Sequence, residues 1–302
     1  MFGGEGAVDG VFEVVAGGRG AQHHVGDVLL LLGLQRIDHL GGAADADQQD
    51  AGGERIERAG VAHLDFPVAE AAQREFDFAE PRSVAEASQM LAEYGDDARI
   101  IAGGSALMLA MRQRMLAPTH LISVAKLPRL HGIDFDQRKG LRIGAMSRHI
   151  DVARSELVKK HAPVLARMAG QVANPQVRNQ GTIGGNLCYA DPSTDPPGCL
   201  MALDASVVLG STRGERVLSM EEFLVDYYAT AMEPDEVLLE IRVPLQAPGT
   251  QGIYTRFLRT AAEHRPLASV ALVVQMDGQI CHQARLAVGA STPIPARLHR
   301  AE

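Results

Sequence analysis

Apolar residues recur at intervals of three and four positions in two stretches of the chain. In the first, Val84 to Leu91, the run follows Ser83, whose hydroxyl suits a helix N-cap, and Gly95 comes shortly after it. This spacing predicts a helix that begins at Ser83 and ends near Gly95. The second stretch, 163–172, precedes an Asn-Pro pair. A helix is predicted there too, ending before the pair because proline disfavours helical geometry in the residue before it.

Short apolar runs bounded by turn residues predict strands in most of the remaining chain after residue 75. At 98–115 a strand, a Gly-Gly-Ser turn and an apolar helix (106–115) follow one another, and a short helix is predicted at 220–223. The last three strands are predicted to form a meander, with Asp277-Gly278 as a two-residue hairpin turn. No fixed repeat is present, which argues against solenoids and coiled coils. The predicted helices and strands give a mixed α+β fold class. The predicted strands are 98–102, 120–124, 141–144, 206–210, 216–218, 236–243, 254–260, 269–276 and 284–289.

Residues 1–74 differ from the rest of the chain in composition and in their pattern of apolar residues. They contain repeated Gly-Gly pairs and little sustained apolar periodicity. Two hypotheses account for this: a flexible N-terminal tail, or a start assigned too far upstream, with Val68 marking an alternative start codon. Either way, this extension is left unassigned and the folded unit is expected to begin near residue 75.

Composition excludes several classes of protein. The chain has 302 residues, enough for two domains, and its 37 acidic and 29 basic residues give a net charge of −8. It lacks the basic stripe of nucleic-acid binders. Cys188, Cys199 and Cys281 are too few and too far apart for a disulfide framework or an iron–sulfur cage. No apolar run reaches the roughly 18 residues of a membrane span. A cytoplasmic protein without a transmembrane segment is expected.

Three stretches carry candidate binding residues. The segment 100–107 places paired glycines between a strand and a helix, where backbone N–H groups can surround an anion. The stretch 174–186 is polar and glycine-rich, and it is predicted to be a long functional loop with a second nest of N–H groups. Its Thr182 hydroxyl and Asn186 amide would add hydrogen bonds. In the third stretch, Asp195 is either an acceptor for ligand hydroxyls or a capping aspartate.

Other chemistries are disfavoured by spacing. Gly104-Ser105 lacks the second glycine of the G-x-S-x-G hydrolase motif, and no glycine segment has the Rossmann or P-loop pattern. His23, His24 and His149 lack partners at metal-ligand spacing. These histidines are interpreted as surface or locally bonded residues.

The stretches Ile101–Ser105 and Thr182–Asn186 together resemble the FAD-binding medium subunit of molybdenum hydroxylases, which include bacterial carbon monoxide dehydrogenase and relatives of xanthine dehydrogenase. The resemblance covers about residues 76–296. It implies a PCMH-type FAD-binding fold at 75–245, with α+β subdomains at about 75–128 and 129–245. It also implies a small α+β domain with a three-stranded antiparallel sheet at 246–302. Relatives continue with further helices, so this last domain is expected to be incomplete.

The resemblance implies FAD as the cofactor and assigns no catalytic side chain and no metal ligand to this chain. Tyr189 and Tyr254 are candidates for flanking the flavin ring, with ordinary packing as the alternative. Arg256 stands where relatives often carry lysine. The implied cofactor-binding residues are Ile100, Ile101, Ala102, Gly103, Gly104, Ser105, Ala106, Leu107, Ala173, Thr182, Ile183, Gly184, Gly185, Asn186, Asp195, Leu239 and Arg256.

The resemblance also implies partners. A large subunit would hold the molybdenum cofactor, and a small subunit would hold two [2Fe-2S] clusters. This chain would then pass electrons through FAD to an acceptor, within a dimer of heterotrimers. Two alternatives stay open: a self-contained FAD-dependent NAD(P)H reductase of the same fold, and a truncated FAD-binding module without turnover.

Overall fold

The computed structural model describes residues 76–260 and 263–302. These residues lie within the unit Val68–Glu302. Both hypotheses about residues 1–74 concern a segment outside the described residues.

The first layer is a three-stranded parallel sheet with two helices. Its elements are strand β1 (Asp77–Ala79), helix α1 (Val84–Tyr94), strand β2 (Ala98–Ile101), helix α2 (Leu107–Arg112) and strand β3 (His120–Ser123). The strand order is β1-β3-β2, and both pairs are parallel. The predicted cap is confirmed, because the Ser83 hydroxyl accepts a hydrogen bond from the Glu86 N–H at 3.1 Å. Helix α2 is shorter than predicted, and Arg114 just beyond it has a left-handed φ of 58°.

The second layer is built on antiparallel strands covered by short helices. Its elements are β4 (Ile133–Asp136), β5 (Gly140–Gly144), α3 (His149–Arg154), α4 (Glu156–His161), α5 (Pro163–Gln171), α6 (Pro175–Gln180), α7 (Ile183–Tyr189), α8 (Pro196–Ala202), β6 (Ser206–Ser211), β7 (Gly214–Ser219), α9 (Met220–Phe223), β8 (Leu224–Asp226), β9 (Ala229–Thr230) and β10 (Val237–Val243). Five strands form one sheet in the order β4-β5-β10-β6-β7, and β8 pairs with β9. The predicted strands and helices at 141–144, 163–172, 206–223 and 236–243 are confirmed.

The prediction of a long loop at 174–186 is wrong. The stretch instead forms the two helices α6 and α7. Asn174 caps α6, with proline at its first position, and Thr182 caps α7 by accepting a hydrogen bond from the Gly185 N–H at 3.1 Å. The polar caps of these six- and seven-residue helices and the glycines of α7 resemble loop composition, so the sequence pattern favoured the wrong element.

The third layer is the C-terminal meander, a sheet of strands β11 (Thr250–Phe257), β12 (Ala268–Asp277), β13 (Ile280–Gly289) and β14 (Ala296–Arg297). The antiparallel meander is confirmed, but the sheet has four strands, because the two-residue β14 adds to the edge of β13. Asp277 pairs with Ile280, so the hairpin turn lies one residue later than predicted. Gly278 takes a left-handed φ of 59° there.

Helix α8 lies at the centre of the core. All seven of its residues are buried. It packs against β12 and β13 of the meander and against the helices α5, α7 and α9. The opposite face of the meander is open, and Ile253 and Phe257 are exposed on it. Within the described ranges, no helix is long and apolar enough to cross a membrane.

Candidate cofactor site

The two glycine segments that the sequence singled out converge. The first follows β2 and leads into α2, while the second begins α7. A Cβ placed on Gly103 would lie only 2.1 Å from the carbonyl oxygen of Gln180, and one on Gly181 would lie 3.4 Å from the Ser105 Oγ. The backbone of the turn between β2 and α2 therefore packs directly against the backbone at the junction between α6 and α7. Glycine at residue 103 makes this close approach possible.

The first segment offers free backbone donors. The N–H groups of Gly103, Gly104, Ser105 and Ala106 donate to no acceptor in the part of the chain that the structure describes. Gly104 has a left-handed φ of 70°. Successive N–H groups around such a residue form a concave nest for an anion. Residues 103–106 therefore have the free N–H groups that an anion nest between β2 and α2 requires.

The second segment does not form the nest that was predicted for it. The Ile183 N–H donates to the Ser147 carbonyl at 2.9 Å, and the Gly184 N–H donates to the Ala145 carbonyl at 3.0 Å. The Gly185 and Asn186 N–H groups are both taken by Thr182, through its hydroxyl and carbonyl. Tertiary contacts occupy the first two donors, and the cap and first turn of α7 occupy the other two. What α7 can offer to a ligand is mainly the side chain of Asn186.

Two unsatisfied side-chain atoms lie at this junction. Among the described residues, three buried side-chain polar atoms have no hydrogen-bond partner: Ser105 Oγ, Asn186 Oδ1 and Arg285 Nε. Two of the three belong to the two glycine segments. A buried polar group left unpaired costs about 1–3 kcal/mol, so such groups usually have a partner. Ser105 and Asn186 therefore suit contact with a polar ligand.

His149 holds the junction between the two segments in place, and the sequence analysis did not predict this role. Its backbone N–H donates to the Gly181 carbonyl at 3.1 Å, and Arg148 forms a β-bridge with Thr182. Of the two interpretations of His149, surface or locally bonded, the first is wrong, because the side chain is buried. Burial, and then the charge of Arg178, lower the pKa of His149 to about 4, so the ring is neutral at pH 7. A histidine at a helix start carries no sequence signal for this role.

Ala173 lies at the turn between α5 and α6. It has a left-handed φ of 40°, which is uncommon for a residue with a Cβ. Arg178 holds the turn by donating to the Val172 and Ala173 carbonyls at 2.7 and 2.9 Å. Strained backbone of this kind is often found at binding sites.

Leu239 lies behind the second segment. It is the extra residue of a β-bulge in β10 and is buried, and its carbonyl accepts a hydrogen bond from the Ala145 N–H at 2.9 Å. Ala145 in turn bonds Gly184 through its carbonyl. Leu239 is therefore joined to the start of α7 through one intervening residue.

Asp195 and Arg256 form a second cluster. Asp195 precedes α8 and is buried, and it makes no side-chain capping bond to that helix. Its Oδ1 accepts from the Tyr254 hydroxyl at 2.5 Å, and its Oδ2 accepts from Arg256 at 3.3 Å. Arg256 also donates to the His264 carbonyl at 3.4 Å. Burial raises the pKa of Asp195, while Tyr254 and Arg256 act to lower it.

The two candidate tyrosines have different surroundings. Tyr254 is buried, with its hydroxyl on Asp195. Tyr189, the last residue of α7, is half-buried and packs edge-to-face on Tyr228, with ring centroids 5.2 Å apart. Nothing in these contacts assigns either ring to a flavin.

Comparison with known proteins decides the family. A family described as the FAD binding domain in molybdopterin dehydrogenase matches residues 74–246, more than half of the chain. The chain belongs to this family. It is 36% identical to the 6-hydroxypseudooxynicotine dehydrogenase complex subunit alpha of Paenarthrobacter nicotinovorans, over 72% of this chain and 74% of that one. It is also 36% identical to the carbon monoxide dehydrogenase medium chain of Hydrogenophaga pseudoflava, over 74% and 77% of the two chains.

A solved structure gives the same answer. This is the carbon monoxide dehydrogenase from Hydrogenophaga pseudoflava that lacks the Mo-pyranopterin moiety of the molybdenum cofactor. Its TM-score is 0.71 at 36% identity, covering 74% of this chain and 77% of that chain. The PCMH-type FAD-binding fold that the resemblance implied is confirmed. This member of the family is a flavoprotein oxidoreductase subunit, and its cofactor is FAD.

The site fits FAD in its chemistry. A pyrophosphate is an anion that accepts hydrogen bonds, which matches the nest at 103–106 and the Ser105 hydroxyl. Sugar and ribityl hydroxyls can donate to the unpaired Asn186 Oδ1. The buried junction therefore offers both kinds of partner that the dinucleotide needs.

Proposed function

We propose that this chain is the FAD-binding electron-transfer subunit of a molybdenum hydroxylase complex. It takes electrons from [2Fe-2S] clusters of a partner subunit and passes them through FAD to an acceptor. The observation that carries this proposal is the pair of buried, unpartnered atoms, Ser105 Oγ and Asn186 Oδ1, beside the nest of free N–H groups at 103–106.

Each part of the site has a separate proposed role. Bound FAD supplies the redox chemistry of the subunit. The N–H groups of residues 103–106 and the Ser105 hydroxyl hold the pyrophosphate, and Asn186 orients an adjoining hydroxyl. Asp195 accepts a hydrogen bond from a cofactor hydroxyl. Further contacts with FAD are proposed for the other residues of the segments 100–107 and 182–186, and for Ala173, Leu239 and Arg256.

The proposal includes the domains and the complex. We propose a FAD-binding domain at 75–245, with subdomains at about 75–128 and 129–245, and a C-terminal domain at 246–302. The family match at 74–246 supports the outer bounds of the first domain. The names of relatives as medium chains and complex subunits support partner chains. We propose a large subunit with the molybdenum cofactor and a small subunit with two [2Fe-2S] clusters, assembled as a dimer of heterotrimers in the cytoplasm.

The FAD site is tested by removing the two unpartnered atoms separately. Ser105→Ala and Asn186→Ala each delete one ligand-facing group without deleting a bond seen in the protein. Each is expected to raise the Kd for FAD by about tenfold, since a lost hydrogen bond is worth about 1 kcal/mol or more. The assay is FAD titration of apo-protein by flavin fluorescence. Ser291→Ala and Gln89→Ala, at exposed residues far from the two segments, are the control substitutions. Wild-type protein that folds and takes up no FAD would refute the site.

The role in a complex is tested with native protein. An affinity-tagged full chain expressed in its own host is expected to co-purify with one molybdenum-bearing and one iron–sulfur-bearing chain, detected by metal analysis and mass spectrometry. The same purified chain alone is then mixed with NADH or NADPH under nitrogen. Rapid bleaching of the flavin in the isolated chain, without co-purifying subunits, would favour the self-contained reductase instead.

A further inference from the structure

A buried hydrogen bond joins the FAD-binding layers to the meander at Asp195. Asp195 lies between α7 and α8, nine residues after Asn186, while Tyr254 comes from β11. The Tyr254 hydroxyl donates to Asp195 Oδ1 at 2.5 Å, and both residues are buried. The meander therefore reaches the loop that follows the proposed FAD helix.

Asp195 keeps hydrogen-bonding capacity after these contacts. A carboxylate has about four acceptor positions. Within the described ranges, Tyr254 occupies one on Oδ1 and Arg256 one on Oδ2. A buried carboxylate bound on both oxygens has little freedom to rotate, so the direction of its remaining lone pairs is set by the two β11 side chains.

Tyr254 has the support that an orienting residue needs. Its ring is buried in the sheet, directly opposite Ala271 in the antiparallel register. Ser269, also buried, lies beside its hydroxyl. Burial and the charge of Asp195 raise the pKa of Tyr254, so the phenol stays protonated and donates. The direction of the hydrogen bond is thereby fixed from tyrosine to aspartate.

We infer that Tyr254 is a positioning residue of the FAD site, which aims the Asp195 carboxylate at a hydroxyl of the cofactor. The inference rests on the proposed function, in which Asp195 contacts FAD. It gives the meander a direct part in cofactor binding, because a strand outside the FAD-binding domain proposed at 75–245 sets the geometry of a residue inside it.

The test is Tyr254→Phe, which deletes one hydroxyl and keeps the ring. Tyr94→Phe is the matched control, since Tyr94 is half-buried and stacks on His120 in the first layer. FAD Kd and the melting temperature of the apo-protein are measured for both variants and wild type. Tyr254→Phe is expected to weaken FAD binding by about tenfold, with the control within about twofold of wild type.

A pH series separates positioning from simple packing. Among the described residues, the titratable groups that interact with Asp195 are Tyr254 and Arg256 from β11 and Cys199 from α8. Removing the hydroxyl removes one influence that lowers the pKa of Asp195. The acid loss of FAD affinity should therefore begin at a higher pH in Tyr254→Phe than in wild type. Asp195→Asn, which keeps the side-chain shape and an acceptor for Tyr254, is expected to weaken FAD binding as well and to lack this titration.

The outcomes are distinct. Unchanged FAD Kd in Tyr254→Phe would overturn the inference, whether or not the apo-protein melts lower. If Tyr254→Phe does not fold, Asp195→Asn decides, and FAD binding equal to wild type would overturn the inference. Failure of the proposed function looks different, because wild-type protein itself would then take up no FAD.

Discussion

The close contact between the glycine segments predicts that Gly103→Ala is damaging. The added Cβ would lie 2.1 Å from the Gln180 oxygen, whereas ordinary contact begins near 3.4 Å. The two backbones must therefore separate by about 1.3 Å, the difference of these two distances. The obstructing atoms are backbone atoms of Gln180 and Gly181, which cannot rotate away as a side chain would.

The expected cost follows from overpacking. Inserting a methyl group into a filled site costs about 1–3 kcal/mol. For a folded unit of this size each kcal/mol lowers Tm by about 2–4 °C, so Gly103→Ala should melt about 2–12 °C below wild type. A shift of about 1 Å also misaligns the N–H groups of 103–106 relative to Asn186. The Kd for FAD is expected to rise by tenfold or more.

Gly170→Ala is the matched control. Gly170 lies within α5, and a Cβ there would have its nearest neighbour, Ala153 Cβ, at 3.9 Å, an ordinary contact. Alanine in a helix interior is favoured over glycine by about 0.5–1 kcal/mol, so this variant should melt at or above wild type and bind FAD normally. Both apo-proteins are measured by calorimetry and then titrated with FAD. A Gly103→Ala protein that melts and binds like wild type would refute the contact between the segments.

Two further predictions concern stability. Burial alone would raise the pKa of Glu240, but hydrogen bonds from Arg129, Arg242 and Arg142 outweigh it and lower the pKa from 4.5 to about 2. The ionised carboxylate thus stabilises the fold above about pH 4.5 and loses that effect as pH falls towards 2. Glu240→Gln should lower the unfolding free energy by about 1–3 kcal/mol at pH 7. Urea titrations should show that the difference in unfolding free energy between wild type and variant narrows below pH 4.5. A difference that stays constant with pH would contradict this. Ser83→Ala should cost about 1 kcal/mol by losing the cap on α1, measured by urea unfolding, whereas Ser291→Ala should cost nothing measurable.

Local patterns in the sequence determined many elements of the fold. The cap and the end of α1 are signalled by Ser83 and Gly95. Short apolar runs bounded by turn residues signal β5, β6, β10 and the antiparallel meander. These signals are contained within ten or so residues. The α6 and α7 helices were missed because the polar caps of both and the glycines of α7 have the composition of a loop. The start of α7 is held by hydrogen bonds to Ala145 and Ser147, which are distant in the sequence.

The site was only partly determined by sequence. Motif spacing identified the two glycine segments, but which one keeps free N–H groups depends on the bonds of α7 to Ser147 and Ala145 and on its capping by Thr182. His149 is bonded to Gly181, which lies 32 positions away in the sequence. Tyr254 is bonded to Asp195, which lies 59 positions away. Such pairings depend on how the layers pack, because burial and charge at these residues are created by neighbours that are distant in sequence. The sequence by itself determined the family and the segments; the tertiary structure decided which of their atoms are available to a ligand.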